Sequence, residues 1–599
     1  MKQVKNLFSK IRDIRARNMT RYKGAKIALM CLFPIFLVLL TEYNHLRNVG
    51  LLLEFIRTRP NIFIFDLLII SSIVAILTLL FRRGGVAITV SGLLFYIFSI
   101  VEYFKYDISG THFVIADLMM TENAGDIAKM ARIDFRIIFG GSLLILLFFI
   151  VTAFFLNIRI KGSKRVTIVS GVASCLVFVF CIVSPMVSSK IYDFFGVDRE
   201  TAVDMFKTNQ KFQNNNFIAF LVQSTSEQFA RKVQKPEGYS QEAIDAILAG
   251  QQDSGGENFQ KPNVIFVMSE SLADFREFSG VTVPSDVYAP YDRIAEKGYR
   301  GTSVVPTFGG YTPRTEFELL FGLPVKSLNN SVTPHRLLNK DEQMAFPRYY
   351  KDLGYETSYI HPFSATFYNR DEVYPRYGFD HLYFEDSMTV EETKFRLYAD
   401  DAVVFKQIEA QLESSDRPQY IYATSMQNHE PFNDPEHPSE SEFQYYLDGV
   451  KNTGEQLEKF ISYLEQKGEP TIVVFIGDHF PFFSTSDDTY EKMGINSENC
   501  ESVYRQKFLI WSNMDLDYSK LPQNEFSTFY LPTLTADLIG APETKGMNYM
   551  REKLKSVPVY SYIPGFLTPR DEELDMLTYD RTLGKKYSLG YFDADRDAA

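Results

Sequence analysis

The sequence predicts an N-terminal α-helical membrane domain with five transmembrane helices, followed by a C-terminal α/β domain. Two observations predict this fold class. Long apolar runs are concentrated in the first 190 residues of the 599-residue chain, whereas short apolar runs alternate with longer amphipathic stretches after residue 262. A chain of this length also exceeds one ordinary domain, so at least two structural units are expected.

Five apolar runs account for the membrane domain. A helix needs roughly 20 residues to cross a bilayer core of about 30 Å, and each run meets or approaches that length. A single run could be a buried helix of a globular core, but this explanation does not extend to five runs in succession. The runs are residues 27–43, 62–81, 86–103, 137–156 and 166–187.

Positive charge predicts the orientation of these helices, because Lys and Arg near the ends of spanning helices stay on the cytoplasmic side. Residues 1–26 are rich in Lys and Arg and hold a single acid, Asp13, and the loops at 82–83 and 159–165 are also basic. An odd number of spans then places the chain after about Ser188 outside the cell. We therefore predict a multi-pass cell membrane protein whose C-terminal domain is extracellular.

Two other uses of apolar helices fit the sequence less well. A cleaved signal peptide would be followed closely by small residues at a cleavage site, and the first run begins late and lacks them. A transporter usually carries ionisable groups at membrane depth, and only Asp66 lies well inside a run. We interpret the five runs as a retained anchor.

Composition predicts the remaining boundaries. The region between the membrane domain and the α/β domain is polar, and its glycine-containing stretch at 251–258 precedes the folded sequence. The predicted segments are a basic cytoplasmic N-terminus at 1–26, the transmembrane domain at 27–187, a linker with some helix at 188–261, the outer domain at 262–565 and a polar C-terminal tail at 566–599.

Cysteine usage and charge argue against two classes of protein. Three of the four cysteines lie in the apolar runs and only Cys500 lies in the outer part, so the outer domain is not a small module stapled by disulfides. The formal net charge is −12 although the N-terminus is basic, so the outer part is acidic. Nucleic acid is therefore not an expected partner.

In the outer domain, potential metal ligands follow the predicted strands. In open α/β sheets, ligand-binding and catalytic residues lie at the carboxyl ends of the strands. Each residue alone has an ordinary structural explanation, such as a cap or a turn, but their joint placement predicts a site. The predicted strands are 264–268, 357–360, 420–423, 472–476 and 508–511, and a helix is predicted at 445–466. The residues that follow the first four strands are, in order, Glu270, His361, His429 and the pair Asp478 and His479.

A divalent cation and a hydroxyl nucleophile are consistent with these residues. Two carboxylates and one imidazole, from Glu270, Asp478 and His479, suit Mg²⁺ or Mn²⁺ better than a thiolate-rich site would. Thr312 lies where a helix is predicted to begin, and a metal or base could activate its hydroxyl beside an incoming phosphate. The same residue could instead be a helix N-cap ahead of Pro313, and the sequence leaves both interpretations open.

Three motifs resemble the lipoteichoic acid synthase family, within the sulfatase and alkaline phosphatase superfamily. They are Asn-Val-Ile-Phe-Val-Met-Ser-Glu-Ser at 263–271, Gly-Gly-Tyr-Thr at 309–312 followed by Phe-Gly-Leu-Pro at 321–324, and Gly-Asp-His at 477–479. The five-span anchor is also similar. The resemblance implies an extracellular sulfatase-like domain in which Glu270, Thr312, Asp478 and His479 bind Mn²⁺ or Mg²⁺ and Thr312 becomes covalently loaded.

The resemblance also implies substrate contacts. His361, Tyr368 and Arg370 match a substrate-contacting segment, and His429 matches a histidine that acts as the acid and base and contacts the substrate. Two positions depart from the family pattern. Members often have Trp where this chain has Tyr368, and a polar pair where it has Pro313 and Arg314. Arg314 could carry positive charge near a phosphate or lie on a solvated helix face.

The function implied by the resemblance is a glycerophosphate transfer. Phosphatidylglycerol would donate glycerol phosphate to Thr312 and release diacylglycerol. The loaded enzyme would then pass the group to a polyglycerol phosphate chain or a glycolipid primer, so membrane lipid is an expected partner. A sulfatase is disfavoured, because it needs Cys or Ser where this chain has Thr312. A phosphoethanolamine transferase, a phosphodiesterase and a non-enzymatic envelope scaffold are the alternatives.

Overall fold

The computed structural model describes residues 2–115, 117–118, 138–200, 205–230, 233–257, 259–328, 333–338, 340–432, 441–484 and 487–593. The chain divides into two compact units. The first is a helical unit made of Met1–Asp107, Thr111–Ala202 and Lys207–Lys232, and the second is an α/β unit made of Ile108–Gly110, Val203–Phe206 and Val233–Ala599.

Five helices of the first unit are long and apolar enough to cross a membrane, which confirms the predicted membrane domain. Their outward side chains are large and apolar, as lipid contact requires. Leu144, Phe148 and Leu176, for example, are 69%, 67% and 66% exposed. The helices of this unit are α1 (Lys2–Asn18), α2 (Lys23–Leu46), α3 (Val49–Thr58), α4 (Pro60–Phe81), α5 (Gly84–Ser109), α6 (Ile138–Leu156), α7 (Lys164–Val183), α8 (Pro185–Phe195) and most of α9 (Met205–Ala230), and the five candidate spans are α2, α4, α5, α6 and α7.

The interior of the helical unit holds more acids than the sequence analysis counted. Asp66 is buried as expected, but Glu42 in α2 and Glu102 in α5 are buried as well. The Glu42 carboxylate accepts hydrogen bonds of 3.4 Å from the backbone N–H groups of Phe217 and Ile218. Glu42 and Glu102 lie next to the ends of their apolar runs, where burial depends on tertiary packing and cannot be predicted from the sequence.

The second unit is built on an eight-stranded sheet with the strand order β10-β2-β9-β8-β1-β7-β3-β4. Strand β9 runs antiparallel to β2 and β8, and the other neighbours in this sheet are parallel. The strands are β1 (Asn263–Ser269), β2 (Tyr299–Val304), β3 (Glu356–Ile360), β4 (His381–Tyr383), β5 (Lys394–Phe395), β6 (Tyr398–Ala399), β7 (Gln419–Thr424), β8 (Thr471–Gly477), β9 (Arg505–Ser512) and β10 (Phe526–Ser527), of which β5 and β6 form a separate antiparallel pair.

Helices cover both faces of the sheet, so its central strands are buried on both sides. In β1, Val264, Phe266 and Met268 pack into one apolar core, and Ile265 and Val267 pack into another. The helices of this unit are α10 (Gln241–Leu248), α11 (Ala289–Glu296), α12 (Thr312–Phe321), α13 (Pro334–Leu337), α14 (Phe346–Asp352), α15 (Arg370–Tyr377), α16 (Asp401–Ser414), α17 (Glu442–Lys467), α18 (Thr489–Lys492), α19 (Leu531–Leu538), α20 (Lys545–Ser556) and α21 (Glu572–Thr582).

The five strands predicted from the sequence correspond to β1, β3, β7, β8 and β9, and the predicted helix is α17. The register brings the carboxyl ends of the central strands to one edge. Met268 pairs with Thr424 of β7 and with Ile476 of β8, and Ile360 of β3 pairs with Ala423. The residues that follow these strands therefore lie close together.

Two of the predicted segments contain regular structure. The segment 188–261, predicted to be a linker, contains most of α8 and all of α9 and α10. The segment 566–599, predicted to be a polar tail, contains α21, whose Leu574 and Leu577 are buried in the core of the α/β unit. The domain boundaries themselves stay a prediction.

Candidate active site

The sheet edge brings Glu270, Asp478 and His479 together. Glu270 follows β1, and Asp478 and His479 follow the neighbouring strand β8. One ligand atom from each residue lies within 4.8 Å of the others, and all three side chains are buried. The Nε2 atom of His479 is 3.1 Å from Oδ2 of Asp478 and 3.7 Å from Oε1 of Glu270. We call these three residues the metal cluster.

The hydrogen bonds of the metal cluster leave two of its buried polar atoms without a partner among the described residues, and these atoms are available to a cation. Nδ1 of His479 lies 2.9 Å from the carbonyl oxygen of Phe480, which can only accept, so Nδ1 carries a proton and Nε2 faces the carboxylates. In the described part of the chain, this Nε2 and Oδ2 of Asp478 are buried without a hydrogen-bond partner. Burial and then the charge of Asp478 raise the pKa of Glu270 to about 7. A divalent cation would relieve this crowding of negative charge.

The loop after β1 donates hydrogen bonds to two residues of the metal cluster. Ser271 has a φ of 51°, in the left-handed region, and its hydroxyl donates to Oε1 of Glu270 at 2.8 Å. Its backbone N–H and that of His479 both donate to Oδ1 of Asp478, at 2.8 and 2.9 Å. These bonds hold the carboxylate of Asp478 so that the other oxygen, Oδ2, faces His479.

Thr312 is the first residue of α12, and a sharp turn presents it there. Gly309, Gly310 and Tyr311 have successive φ values of 64°, 137° and 61°, so the chain passes through the left-handed region before the helix begins. Tyr311 occupies the N-cap position, and Thr312 is therefore not the N-cap that the sequence left open. The hydroxyl of Thr315 in the same helix donates to the backbone oxygen of Asp478 at 2.9 Å, which ties the start of α12 to the metal cluster.

His429 borders the same carboxylates. Ligand atoms of Glu270, His429 and Glu430 lie within 4.8 Å of one another. Nδ1 of His429 lies 2.7 Å from the backbone oxygen of Glu430, so Nδ1 carries a proton and Nε2 is left for proton transfer. Burial by itself lowers the pKa of His429, but the carboxylates of Glu430 and Glu270 outweigh it, so the pKa lies above its ordinary value.

Arg370 and His361 lie in a second buried group, with Glu316 of α12. Nε and Nη2 of Arg370 donate to Oε1 of Glu316 at 3.2 and 3.0 Å, and Nη1 lies 3.3 Å from Nε2 of His361. His335 approaches the other oxygen of Glu316 at 3.1 Å. Burial alone would raise the pKa of Glu316, but the Arg370 charge, followed by His335, holds it below the ordinary value. We call Glu316, Arg370, His335 and His361 the paired cluster.

Tyr368 and Arg314 complete the residues singled out from the sequence. The guanidinium carbon of Arg370 lies 5.2 Å from the ring centre of Tyr368. Burial raises the pKa of Tyr368, the charge of Arg370 opposes this, and Tyr311 followed by the carboxylates of Glu270 and Glu430 adds to the rise. Arg314 is buried, and its Nη2 donates to the hydroxyl of Tyr562 at 3.0 Å. The solvated helix face considered for Arg314 is therefore wrong.

Sequence reasoning missed the importance of Glu316, His335 and Glu430. Glu316 lies four residues after Thr312 and Glu430 directly follows His429, so both fall inside motifs that the sequence analysis used. An acid among apolar helix positions was the available signal for Glu316. His335 carried no signal, because its contact with Glu316 is made only by the folded chain.

Residues 262–538 match the Sulfatase family. A Rhizobium meliloti protein named for cyclic beta-1,2-glucan modification is 28% identical over 331 residues, which are 52% of this chain and 50% of that protein. The lipoteichoic acid synthase of Staphylococcus saprophyticus is 26% identical over 254 residues, which are 39% of this chain and 38% of that protein. The chain thus spans about half the length, or less, of these curated relatives.

Solved structures share the fold. The phosphoglycerol transferase GacH of Streptococcus pyogenes, in complex with sn-glycerol-1-phosphate, matches with a TM-score of 0.50 at 24% identity, over 60% of this chain and 99% of that chain. The integral membrane phosphoethanolamine transferase EptA of Neisseria meningitidis matches with a TM-score of 0.50 at 12% identity, over 88% of this chain and 98% of that chain. EptA has the same layout of apolar helices and α/β domain. The chain therefore carries a Sulfatase-family domain at residues 262–538 and is related, in that part, to the lipoteichoic acid synthases.

Proposed function

We propose that this protein is a metal-dependent glycerophosphotransferase that transfers glycerol phosphate from phosphatidylglycerol to an acceptor hydroxyl through a covalently loaded Thr312. The observation that carries the proposal is the buried metal cluster of two acids and one imidazole, which a hydrogen bond ties to the helix that begins at Thr312. Relatives named lipoteichoic acid synthase and the phosphoglycerol transferase GacH support glycerol phosphate as the group that is transferred.

Glu270, Asp478 and His479, together with Thr312, are the residues that would hold the cation. Oxygen ligands with one imidazole suit Mn²⁺ or Mg²⁺. A bound divalent cation supplies positive charge that lowers the pKa of the Thr312 hydroxyl and offsets charge on the phosphoryl oxygens.

The first displacement loads the enzyme. The Thr312 alkoxide forms a bond to phosphorus as the bond from phosphorus to the diacylglycerol oxygen breaks. The leaving oxygen takes a proton from Nε2 of protonated His429, so diacylglycerol departs as an alcohol and His429 becomes neutral. The raised pKa of His429 favours its protonated form at this step.

The second displacement returns both residues to their starting state. Neutral His429 takes the proton of the acceptor hydroxyl while the acceptor oxygen forms a bond to phosphorus. The bond from phosphorus to Oγ of Thr312 breaks, and Thr312 is again an alkoxide. The acceptor is the end of a growing polyglycerol phosphate chain, as in lipoteichoic acid, or a glycolipid primer.

The remaining substrate contacts are assigned to His361, Tyr368 and Arg370. Burial and the neighbouring Arg370 charge lower the pKa of His361 to about 3, so its imidazole is neutral and binds by hydrogen bonding. Arg370 supplies positive charge for a phosphate while Glu316 fixes its position. The aromatic ring of Tyr368 borders the same group.

The membrane domain gives the proposed reaction its location. Donor lipid and a lipid-linked primer both lie in the bilayer, so a tethered catalytic domain meets them at a high effective concentration. The positive charge at the N-terminus and in the loops at 82–83 and 159–165 supports an extracellular catalytic domain.

The test measures diacylglycerol release by the full-length protein in vesicles of phosphatidylglycerol or phosphatidylethanolamine, with Mn²⁺, Mg²⁺ or a chelator. We expect release from phosphatidylglycerol that requires the metal and is lost in Thr312→Ala. Thr535→Ala is the matched control, because the buried hydroxyl of Thr535 donates to the backbone oxygen of Leu531 in its own helix, at 2.8 Å. It should keep the activity.

Each alternative function gives a different result. Release from phosphatidylethanolamine alone would identify a phosphoethanolamine transferase. Free glycerol phosphate, with no transfer to any acceptor, would identify a phosphodiesterase. Metal binding without release from either lipid would overturn the enzyme proposal and favour the scaffold.

A further inference from the structure

Two short segments of the α/β unit come from the N-terminal half of the chain. Ile108–Gly110 lies at the end of α5, and the pair Met205 and Phe206 begins α9. The chain continues from both segments into the helical unit, so we call them the connecting segments. The contacts of both lead to the turn at 309–311, which precedes Thr312.

Met205 and Phe206 pack directly against this turn. The ring centres of Phe206 and Phe308 are 5.0 Å apart, and Phe308 is buried in the same apolar core as Met205. A Cβ atom placed on Gly309 would lie 3.1 Å from Cε of Met205, which is closer than ordinary van der Waals contact. The side chains of this connecting segment therefore occupy the space beside the backbone of Gly309.

Phe482 links the other connecting segment to the turn. A Cβ atom placed on Gly110 would lie 2.2 Å from Cε2 of Phe482, so the phenyl ring rests on the bare backbone of that glycine. The Cβ atom of Phe482 lies 3.0 Å from the position that a Cβ atom on Gly309 would take. The backbone N–H of Gly309 also donates to the backbone oxygen of Phe480 at 3.0 Å, and Phe480 directly follows His479. The turn therefore contacts both the connecting segments and the chain that carries the metal cluster.

The conformation of the turn depends on such support. Tyr311 has a φ of 61°, and a bulky residue in the left-handed region persists only where its surroundings determine it. Within the turn, the hydroxyl of Thr307 donates to the backbone oxygen of Gly310 at 2.5 Å. This bond restrains Gly310, and the packing around Gly309 restrains the residue before it. Together they determine the direction in which the chain enters α12.

We propose that the connecting segments position the nucleophile Thr312. Met205 and Phe206 hold the turn by direct contact, and the segment that ends at Gly110 holds it through Phe482. This inference rests on the proposed function, because it concerns the nucleophile of that reaction. A nucleophile displaced by about 1 Å can lose about 100-fold in rate, so the loss of one contact should slow the chemical step and leave lipid binding intact.

The first test measures the rate constant of Thr312 loading by the full-length protein in phosphatidylglycerol vesicles with Mn²⁺, over a range of lipid concentrations. We expect Phe206→Ala to lower the maximal rate constant about tenfold and to change the half-saturating lipid concentration less than about twofold. Phe206→Leu, which keeps apolar volume at this position, should recover most of the rate. Trp511 fluorescence confirms that each variant is folded before the rates are compared.

Phe259→Ala is the matched control for Phe206→Ala. Phe259 is also a partly buried Phe of the α/β unit, and its ring centre lies 6.4 Å from that of Tyr355. This variant should load Thr312 at the wild-type rate. Equal losses of rate in Phe206→Ala and Phe259→Ala, or a wild-type rate in Phe206→Ala, would overturn the inference.

Gly110→Ala tests the second connecting segment. The added methyl group would displace the ring of Phe482, and we expect the loading rate constant to fall about fivefold. Gly238→Ala is the control for backbone strain, because Gly110 and Gly238 have φ values of 61° and 74° but no described atom lies within 4 Å of a Cβ placed on Gly238. It should keep the wild-type rate, and equal losses in the two variants would contradict the role of Phe482.

Hydrogen exchange separates this inference from the proposed function, because it needs no turnover. We expect the amide of Gly309 to exchange about fivefold faster in Phe206→Ala and Gly110→Ala than in the wild type, while β1 keeps its protection. If Thr312 never loads in the wild type but exchange accelerates in this way, the proposed function falls and the support of the turn stands. If Thr312 loads and both variants keep wild-type loading and exchange, the inference is wrong and the donor reaction stands.

Discussion

The metal cluster and the paired cluster are both buried, and both are anchored to helix α12, but their charge is balanced differently. In the metal cluster, the acids Glu270 and Asp478 face the imidazole of His479, and Oδ2 of Asp478 and Nε2 of His479 are buried without a hydrogen-bond partner in the described part of the chain. In the paired cluster, the acid Glu316 faces the guanidinium of Arg370 at 3.0 Å.

This difference separates a cluster that lacks a positive counter-charge from one that contains it. A buried charge must be paired or must coordinate a metal. The paired cluster contains its own positive charge, whereas we propose that the metal cluster takes a cation from solution. Helix α12 links them over a single turn, because Thr315 contacts Asp478 and Glu316 contacts Arg370. We therefore expect the paired cluster to set the position of α12, and with it the position of Thr312.

Removal of the acid from the paired cluster should have the largest effect on stability. Glu316→Gln leaves the buried Arg370 charge without a partner, and breaking a buried ion pair in this way costs about 3–5 kcal/mol. Trp511, the single tryptophan of the chain, is buried in β9, so its fluorescence during denaturant unfolding reports on the α/β unit.

Glu318→Gln is the matched control for this change. Glu318 is another buried acid of α12, and burial raises its pKa to about 8, so its side chain is largely neutral at pH 7. Near pH 5, before deprotonation in the unfolded state has lowered the stability of the wild type, a neutral amide should cost less than about 1 kcal/mol, and the two variants are compared at that pH. Equal losses for the two variants would show that the Arg370 pair does not support α12.

Addition of Mn²⁺ should stabilise the protein through the metal cluster and not through the paired cluster. At a Mn²⁺ concentration 100 times the dissociation constant, we expect the wild type to gain about 2.7 kcal/mol of unfolding free energy, because only the folded state binds the ion. Glu316→Gln should keep most of this gain if it folds, and Asp478→Asn should lose it. A gain that persists in Asp478→Asn would place the cation elsewhere.

The smallest effect is a pH dependence that distinguishes Glu318 from Glu316. The pKa of Glu318 is raised from 4.5 to about 8, so its contribution to stability is complete below pH 4.5 and is lost as the pH rises toward 8. Glu318→Gln removes this titration. Relative to the wild type, the free energy of unfolding of the variant should therefore rise by on the order of 1 kcal/mol per pH unit between pH 5 and 7. Trp511 fluorescence reports the unfolding of both proteins. A difference in unfolding free energy that stays constant across this pH range would contradict the raised pKa of Glu318.

The sequence allowed the metal cluster to be predicted because its ligands follow strands. The runs that became β1 and β8 are nearly continuous and apolar, and parallel neighbours place Glu270 and Asp478 at one edge. The same rule placed His361 and His429 near them. The five spanning helices were equally clear, because length and apolar composition suffice to recognise them.

The paired cluster and the short hairpin of β5 and β6 could not be predicted in this way. Glu316 and Arg370 are 54 residues apart in the chain, and their pairing depends on how α12 and α15 pack. The hairpin of β5 and β6 consists of two-residue strands, which are too short for a periodic pattern. Local sequence also gave no sign that Glu42 and Glu102 would be buried together with Asp66 in the helical unit.

The central claim is that the metal cluster activates Thr312 as a nucleophile. The most direct measurement is peptide mass spectrometry of the full-length protein after incubation with phosphatidylglycerol and Mn²⁺ in the absence of an acceptor. We expect one added glycerophosphate group on Thr312, absent when a chelator replaces the metal and absent from Asp478→Asn. Diacylglycerol release without modification of Thr312, or the same group on another residue, would contradict it.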